Sequence, residues 1–335
     1  MPARDSGTID GPGGSGPGPA RQEAIRLAEA LERRERRSIA RAISHVEDET
    51  PVGRELLDLI FVRAGTARRI GITGPPGSGK STLVHALAAL LRRRGERVGV
   101  LAIDPTSPFT GGAILGDRVR MPNASGDDGF FVRSMASRGS LGGVSAATHE
   151  AADVLDAAGF DWILIETVGV GQSELEVVEL ADTVILVLVP ESGDAVQTMK
   201  AGIMEIADLF VVNKFDREGG DRLMRDISVT LELTGWTREG WVPPICPAVA
   251  TSGAGVEKVL EETEAHERWL SGDGGRRERM RLEKMARRLR VLLDRALRRR
   301  IWNHAGLEAR LAEALPRIAA RELSPYRWIA SIRLD

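Results

Sequence analysis

The run Gly74-Pro75-Pro76-Gly77-Ser78-Gly79-Lys80-Ser81 has the spacing of a loop that wraps phosphate groups, G-x-x-x-x-G-K-[ST]. Its glycines let successive backbone N–H groups turn inward, and a helix starting directly after the loop adds the positive end of its dipole. Gly74 through Thr82 are therefore the expected phosphate-binding residues. Lys80 should reach the β- and γ-phosphates of a nucleotide, and the Ser81 hydroxyl should ligate Mg2+. With glycine near 7% of average sequences, a chance match in a chain this long is on the order of one per cent.

A metal at such a loop needs acidic neighbours, and Asp104, Asp117 and Glu166 stand at or near the ends of expected strands. Mg2+ takes few carboxylates and completes its octahedron with water and phosphate oxygens. Ser81, Asp104, Asp117 and Glu166 are the candidate metal residues. Lys80, Glu166 and Asp104 are the candidate catalytic residues, acting by position and charge.

Asn213-Lys214-Phe215-Asp216 has the N-K-x-D pattern of guanine sites. Guanine offers two donors, N1–H and the 2-amino group, and one carboxylate at Asp216 can accept both. Adenine lacks that pair. The Lys214 stem can lie over the purine, and Asn213 can tie this segment to the phosphate loop. Ala250-Thr251, in a turn after the last expected strand, offer a backbone N–H to guanine O6. The expected ligands are GTP or GDP with Mg2+.

The elements that must carry these groups follow from apolar patterning. Strands are expected at 69–73, 98–103, 130–133, 162–166, 183–189, 209–213 and 245–250. Several are apolar on successive residues, as strands buried on both faces are. Strands alternating with helical patterns mean an α/β fold, a P-loop nucleotidase with a mostly parallel sheet covered by helices and ligands at the carboxyl ends of the strands. Residues 1–19 are Gly-, Pro- and Ser-rich and are expected to be disordered. A helical extension is expected over 20–66, the nucleotide domain over 67–270, and a helical arm over 276–335. Residues 276–300 hold twelve basic and three acidic residues, with an apolar stripe of Met285, Leu289, Leu292, Leu293, Ala296 and Leu297. That segment reads either as an amphipathic helix with a solvated basic face or as a dimerisation arm, with nucleic-acid contact a distant third.

Composition narrows the function classes. The chain has 335 residues, 42% of them apolar, and a formal net charge of −2. Near neutrality argues against a general nucleic-acid binder. A single cysteine, Cys246, excludes an intrachain disulfide, and the five histidines have no ligand spacing. No apolar run approaches the roughly 20 residues of a membrane span, and no leader pattern is visible. A cytoplasmic protein with no membrane contact is expected.

Three longer segments carry a family resemblance. Asp104-Pro105-Thr106-Ser107-Pro108-Phe109-Thr110-Gly111-Gly112, continuing to Leu115-Gly116-Asp117-Arg118, resembles the first switch of the MeaB/ArgK-type GTPases, the methylmalonyl-CoA-mutase-associated proteins. Glu166-Thr167-Val168-Gly169-Val170-Gly171-Gln172-Ser173-Glu174 is similar to their second switch, with Glu replacing the Asp of D-x-x-G. Glu191-Ser192-Gly193-Asp194-Ala195-Val196-Gln197-Thr198-Met199-Lys200 resembles the family's additional switch, and places Asp194 and Lys200 among the candidate switch residues. The resemblance implies a GTPase that couples hydrolysis to delivery and protection of adenosylcobalamin in an acyl-CoA mutase, and that works as a homodimer. No cobalamin-ligating D-x-H-x-x-G pattern is present, so the cobalamin belongs to the partner. Val170 follows Gly169 where a water-orienting Gln would stand, so intrinsic hydrolysis is expected to be slow. Two rivals share parts of this pattern. A nickel-delivery (metallochaperone-type) GTPase should also carry a Cys/His cluster, and a P-loop kinase or transport ATPase conflicts with N-K-x-D.

Overall fold

The computed structural model describes residues 18–105, 127–137, 143–167, 173–190, 203–235, 237, 239–272, 274–302 and 306–332. They divide into two compact units, Met1–Trp269 and Leu270–Asp335.

The first unit is built on seven parallel strands: β1 Arg68–Thr73, β2 Val98–Pro105, β3 Phe130–Ser137, β4 Trp162–Thr167, β5 Thr183–Leu188, β6 Leu209–Val212 and β7 Ile245–Pro247. Their spatial order is β3-β2-β4-β1-β5-β6-β7. β4 and β5 are buried at every position, which explains their unbroken apolar runs. Three helices precede β1: α1 Pro19–Glu32, α2 Arg36–Glu47 and α3 Pro51–Ile60. Thr50 caps α3 by accepting the Gly53 N–H. Then follow α4 Lys80–Arg93, α5 Gly143–Ala157, α6 Ser173–Leu180, α7 Gly220–Thr234 and α8 Val256–Ser271.

Each face of the sheet has its own core. Ile70, Ile72, Trp162, Leu164, Ile185 and Val187 pack with Leu83 and Leu87 of α4 and Val259 and Leu260 of α8. On the other face, Ile163, Ile165 and Val184 pack with residues of α5, α6 and the three leading helices. The leading helices therefore belong to the same hydrophobic core as the sheet. Asp156 of α5 fixes the entry to β1. Its carboxylate accepts the N–H groups of Gly65 (2.6 Å), Thr66 (3.2 Å) and Ala67 (3.1 Å). Arg69 reaches Asp153 at 2.8 Å and Asp156 at 3.3 Å. Burial alone would lower the Arg69 pKa, but the surrounding carboxylates raise it above its ordinary value, so the cluster holds a charged guanidinium. At the edge strand, Arg92 of α4 forks onto Asp127 at 2.8 and 2.7 Å where the chain enters β3. That hydrogen bond holds the Asp127 carboxyl below the usual carboxylate range.

The second unit contains α9 Arg276–Trp302, α10 Leu307–Ala319 and α11 Pro325–Ala330. α9 spans 27 residues, about 40 Å at 1.5 Å per residue. None of its described residues is buried. Leu289, Leu293 and Leu297, at successive i+4 steps, are 58%, 59% and 48% exposed. Among the described residues no helix is long and apolar enough to cross a membrane.

Candidate functional site

Four of the strands end where the sequence places chemistry. β1 delivers the chain into Gly74, whose φ of +141° excludes side chains, and a Cβ there would lie 2.2 Å from the Val187 carbonyl oxygen of β5. The loop can therefore press against the neighbouring strand only with glycine at this position. It closes into the first turn of α4. Lys80 is 5% exposed, and its ammonium donates to the carbonyls of Gly74 (2.8 Å) and Pro75 (3.0 Å). A buried ammonium must find oxygen partners, and here the loop supplies them, so the charge sits inside the curve of the loop. Pro76, Gly77 and Thr82 are exposed, whereas Ser78 is fully buried beneath the loop.

Ser81, the second residue of α4, donates its hydroxyl to a carboxylate oxygen of Glu166 at the end of β4. Strand register brings them together, since Glu166 lies opposite Ile72, two residues before Gly74. A hydroxyl and a carboxylate in contact form a hard-oxygen donor pair of the kind Mg2+ takes, with water and phosphate completing the shell. The residues present therefore fit that ion. Asp104 is at the same sheet end, one residue past the Ile103↔Thr167 register pair. Its backbone alone is described. Asp117, Asp194 and Lys200 lie outside the described residues, as do Val168 to Gln172.

The Asn213 side chain joins the two halves of the site. It is 2% exposed and follows β6 directly. Its amide nitrogen donates to the Ser78 carbonyl at 2.8 Å, and its amide oxygen accepts the Ala250 N–H at 3.1 Å. A carbonyl on one side and an N–H on the other admit only one amide orientation. The phosphate loop, the N-K-x-D segment and the Ala250 turn are thus held by a single side chain. Gly79 is part of this fit, because a Cβ on it would lie 2.3 Å from the Asn213 amide nitrogen. Lys214 adopts a left-handed backbone, φ +55°, and Phe215 returns its N–H to the Ala248 carbonyl at 3.1 Å. Asp216 and Thr251 are exposed, and Ala250 is buried. Behind this turn, burial pushes the Cys246 thiol up to about 11, so it stays protonated at neutral pH and is a packing residue.

Two residues beside the site carry no sequence signal. Thr73 and Thr167 end β1 and β4, and the Thr167 hydroxyl donates to the Thr73 hydroxyl oxygen at 3.0 Å with both residues fully buried. Threonine at a strand end is ordinary, and only the register pairs these two. Among the described residues no group of three His, Cys, Asp or Glu side chains is placed to hold a metal ion.

Known proteins are similar to this chain. A Pyrococcus horikoshii protein is 45% identical over 310 residues, covering 90% of this chain and 94% of its own. GTPase ArgK of Escherichia coli is 38% identical over 243 residues, covering 70% of this chain and 73% of its own. The crystal structure of an LAO/AO transport system kinase superposes with a TM-score of 0.68 at 26% identity, over 92% of this chain and 96% of that one. The model of the family described as methylmalonyl Co-A mutase-associated GTPase MeaB matches residues 39–305, which include the phosphate loop, Glu166 and the Asn213 junction. By that match the chain belongs to the MeaB family.

Proposed function

We propose that the protein binds and hydrolyses GTP with Mg2+, and that this cycle gates adenosylcobalamin loading into, and protects, an acyl-CoA mutase such as methylmalonyl-CoA mutase. One observation supports the nucleotide half most strongly. Asn213 hydrogen-bonds both the phosphate loop and the Ala250 turn, so a segment with guanine-site chemistry is rigidly attached to one with triphosphate-site chemistry. The family description, which names a mutase association, supports the client half.

The reaction takes water and GTP to GDP and inorganic phosphate. Phosphoryl transfer asks the protein for positioning and charge stabilisation. Lys80 holds its ammonium at the loop, and the α4 N-terminus adds backbone N–H groups for the phosphate oxygens. Ser81 and Glu166, joined by Asp104 and Asp117, would hold Mg2+, whose charge would offset that on the phosphates. Asp216 accepts the guanine donors, Lys214 covers the base, and Ala250-Thr251 face its O6. Asp194 and Lys200 belong to the segment through which nucleotide state reaches the mutase. The exposed apolar row of α9 supports a homodimer built on the arm, since a row of that length is unusual on a monomer. The protein works in the cytoplasm.

Competition of GTP and ATP for the unmodified protein tests the nucleotide assignment. Strong preference for GTP is expected, and equal affinity would overturn it.

A further inference from the structure

The end of β4 is held on both faces of the sheet. Successive strand residues point to opposite faces. Trp162 and Leu164, which share the parity of Glu166, lie in the α4-side core, while Ile163 and Ile165, which share that of Thr167, lie in the core beneath α5 and α6. Glu166 is fixed on the first face by Ser81, and Thr167 on the second by Thr73. The β1–β4 register ends at Ile72↔Glu166, so the hydroxyl bond ties the strands one residue beyond it. Thr73 immediately precedes Gly74, and Thr167 immediately follows Glu166.

We propose that the Thr73–Thr167 hydroxyl pair is a positioning contact for Glu166. It binds the tip of β4 to the root of the phosphate loop, so that the carboxylate stays at Ser81, where a divalent cation would be held. The inference rests on the GTP- and Mg2+-dependent reading given above. Chemistry distinguishes this pair from filler. Two buried hydroxyls cost desolvation that their mutual bond offsets only in part, and a valine pair of the same shape would pack the strands without that cost. A directional bond adds a fixed distance between the two strand tips, which apolar packing does not.

The test uses the full chain with Thr167→Val, Thr167→Ser, Thr73→Val and the double variant Thr73→Val/Thr167→Val. Three quantities are measured: the Mg2+ midpoint of single-turnover GTP hydrolysis, GDP affinity in EDTA, and Tm. Thr167→Val is expected to raise the Mg2+ midpoint about tenfold, the low end of what losing the support around a metal ligand costs, with GDP affinity in EDTA unchanged. Thr167→Ser keeps the hydroxyl and should restore the midpoint. The double variant leaves no unpaired hydroxyl, so its Tm should recover while its midpoint stays shifted. An unshifted midpoint in Thr167→Val, an equal shift in Thr167→Ser, or a double variant whose midpoint recovers with its Tm would overturn the inference. Unmodified protein that binds neither GTP nor GDP would instead overturn the GTPase reading, and the inference with it.

Discussion

Asp216 and Lys80 serve different parts of the proposed nucleotide, and their loss should be told apart by the ligand used. Asp216→Asn keeps the shape of the side chain but replaces one acceptor with a donor, leaving a guanine donor unpaired. GTP and GDP should both weaken by about 1–3 kcal/mol, roughly 5- to 150-fold in titration, and the preference over ATP should shrink. Lys80→Ala removes the ammonium held between the Gly74 and Pro75 carbonyls, and should abolish single-turnover hydrolysis. If Lys80→Ala hydrolyses GTP at the unmodified rate, the phosphate assignment is wrong. The groups named in these tests were legible in the sequence because loop glycines, a lysine and an acid at fixed spacing have few other uses. Thr73 and Thr167 were not legible, because their meaning lies in a register between strands 94 residues apart. The direct Ser81–Glu166 contact has the same origin.

Asn213 joins three loops, and its removal tests whether they act as one unit. Asn213→Ala leaves the Ser78 carbonyl and the Ala250 N–H without their buried partner. Stability should fall by about 1–3 kcal/mol, read as a lower Tm, and affinity for GTP and GDP should fall together. A variant with lowered Tm but unchanged nucleotide affinity would make the junction purely a packing feature. All seven strands were visible as apolar runs, and the differences lie at their ends. β2 and β3 run on to Pro105 and Ser137 because they pair with each other in register that far, where the residues are no longer apolar and patterning is silent. β7 stops at Pro247 rather than at 250. The Ala248 N–H still reaches Val212, but the next segment folds back through the Val249↔Ala254 bridge. The leading helices were readable as helices from their period. Their packing against the domain that follows was readable too, and Ile39, Ile43 and Leu56 do join the sheet core, but which sheet residues they meet was not, since period gives a face but not its partner.

The arm carries the prediction that concerns assembly. The first unit, Met1–Trp269, is compact by itself, so a chain ending near Gly275 should fold. With α9 and its exposed leucines gone it should scatter light as a monomer, while the full chain scatters as a dimer. A truncated chain that stays dimeric would remove the arm from the interface. The client claim is more demanding, because the residues assigned to communication, Asp194 and Lys200, lie outside the described part of the molecule. Lys200→Ala is expected to lower the mutase-stimulated rate of hydrolysis and to leave the basal rate as it is. The most direct measurement is single-turnover GTP hydrolysis by the unmodified protein, with and without an adenosylcobalamin-dependent acyl-CoA mutase. Slow hydrolysis alone and a clear acceleration with the mutase are expected. An unchanged rate with every such mutase would contradict the account, leaving a GTPase with some other client.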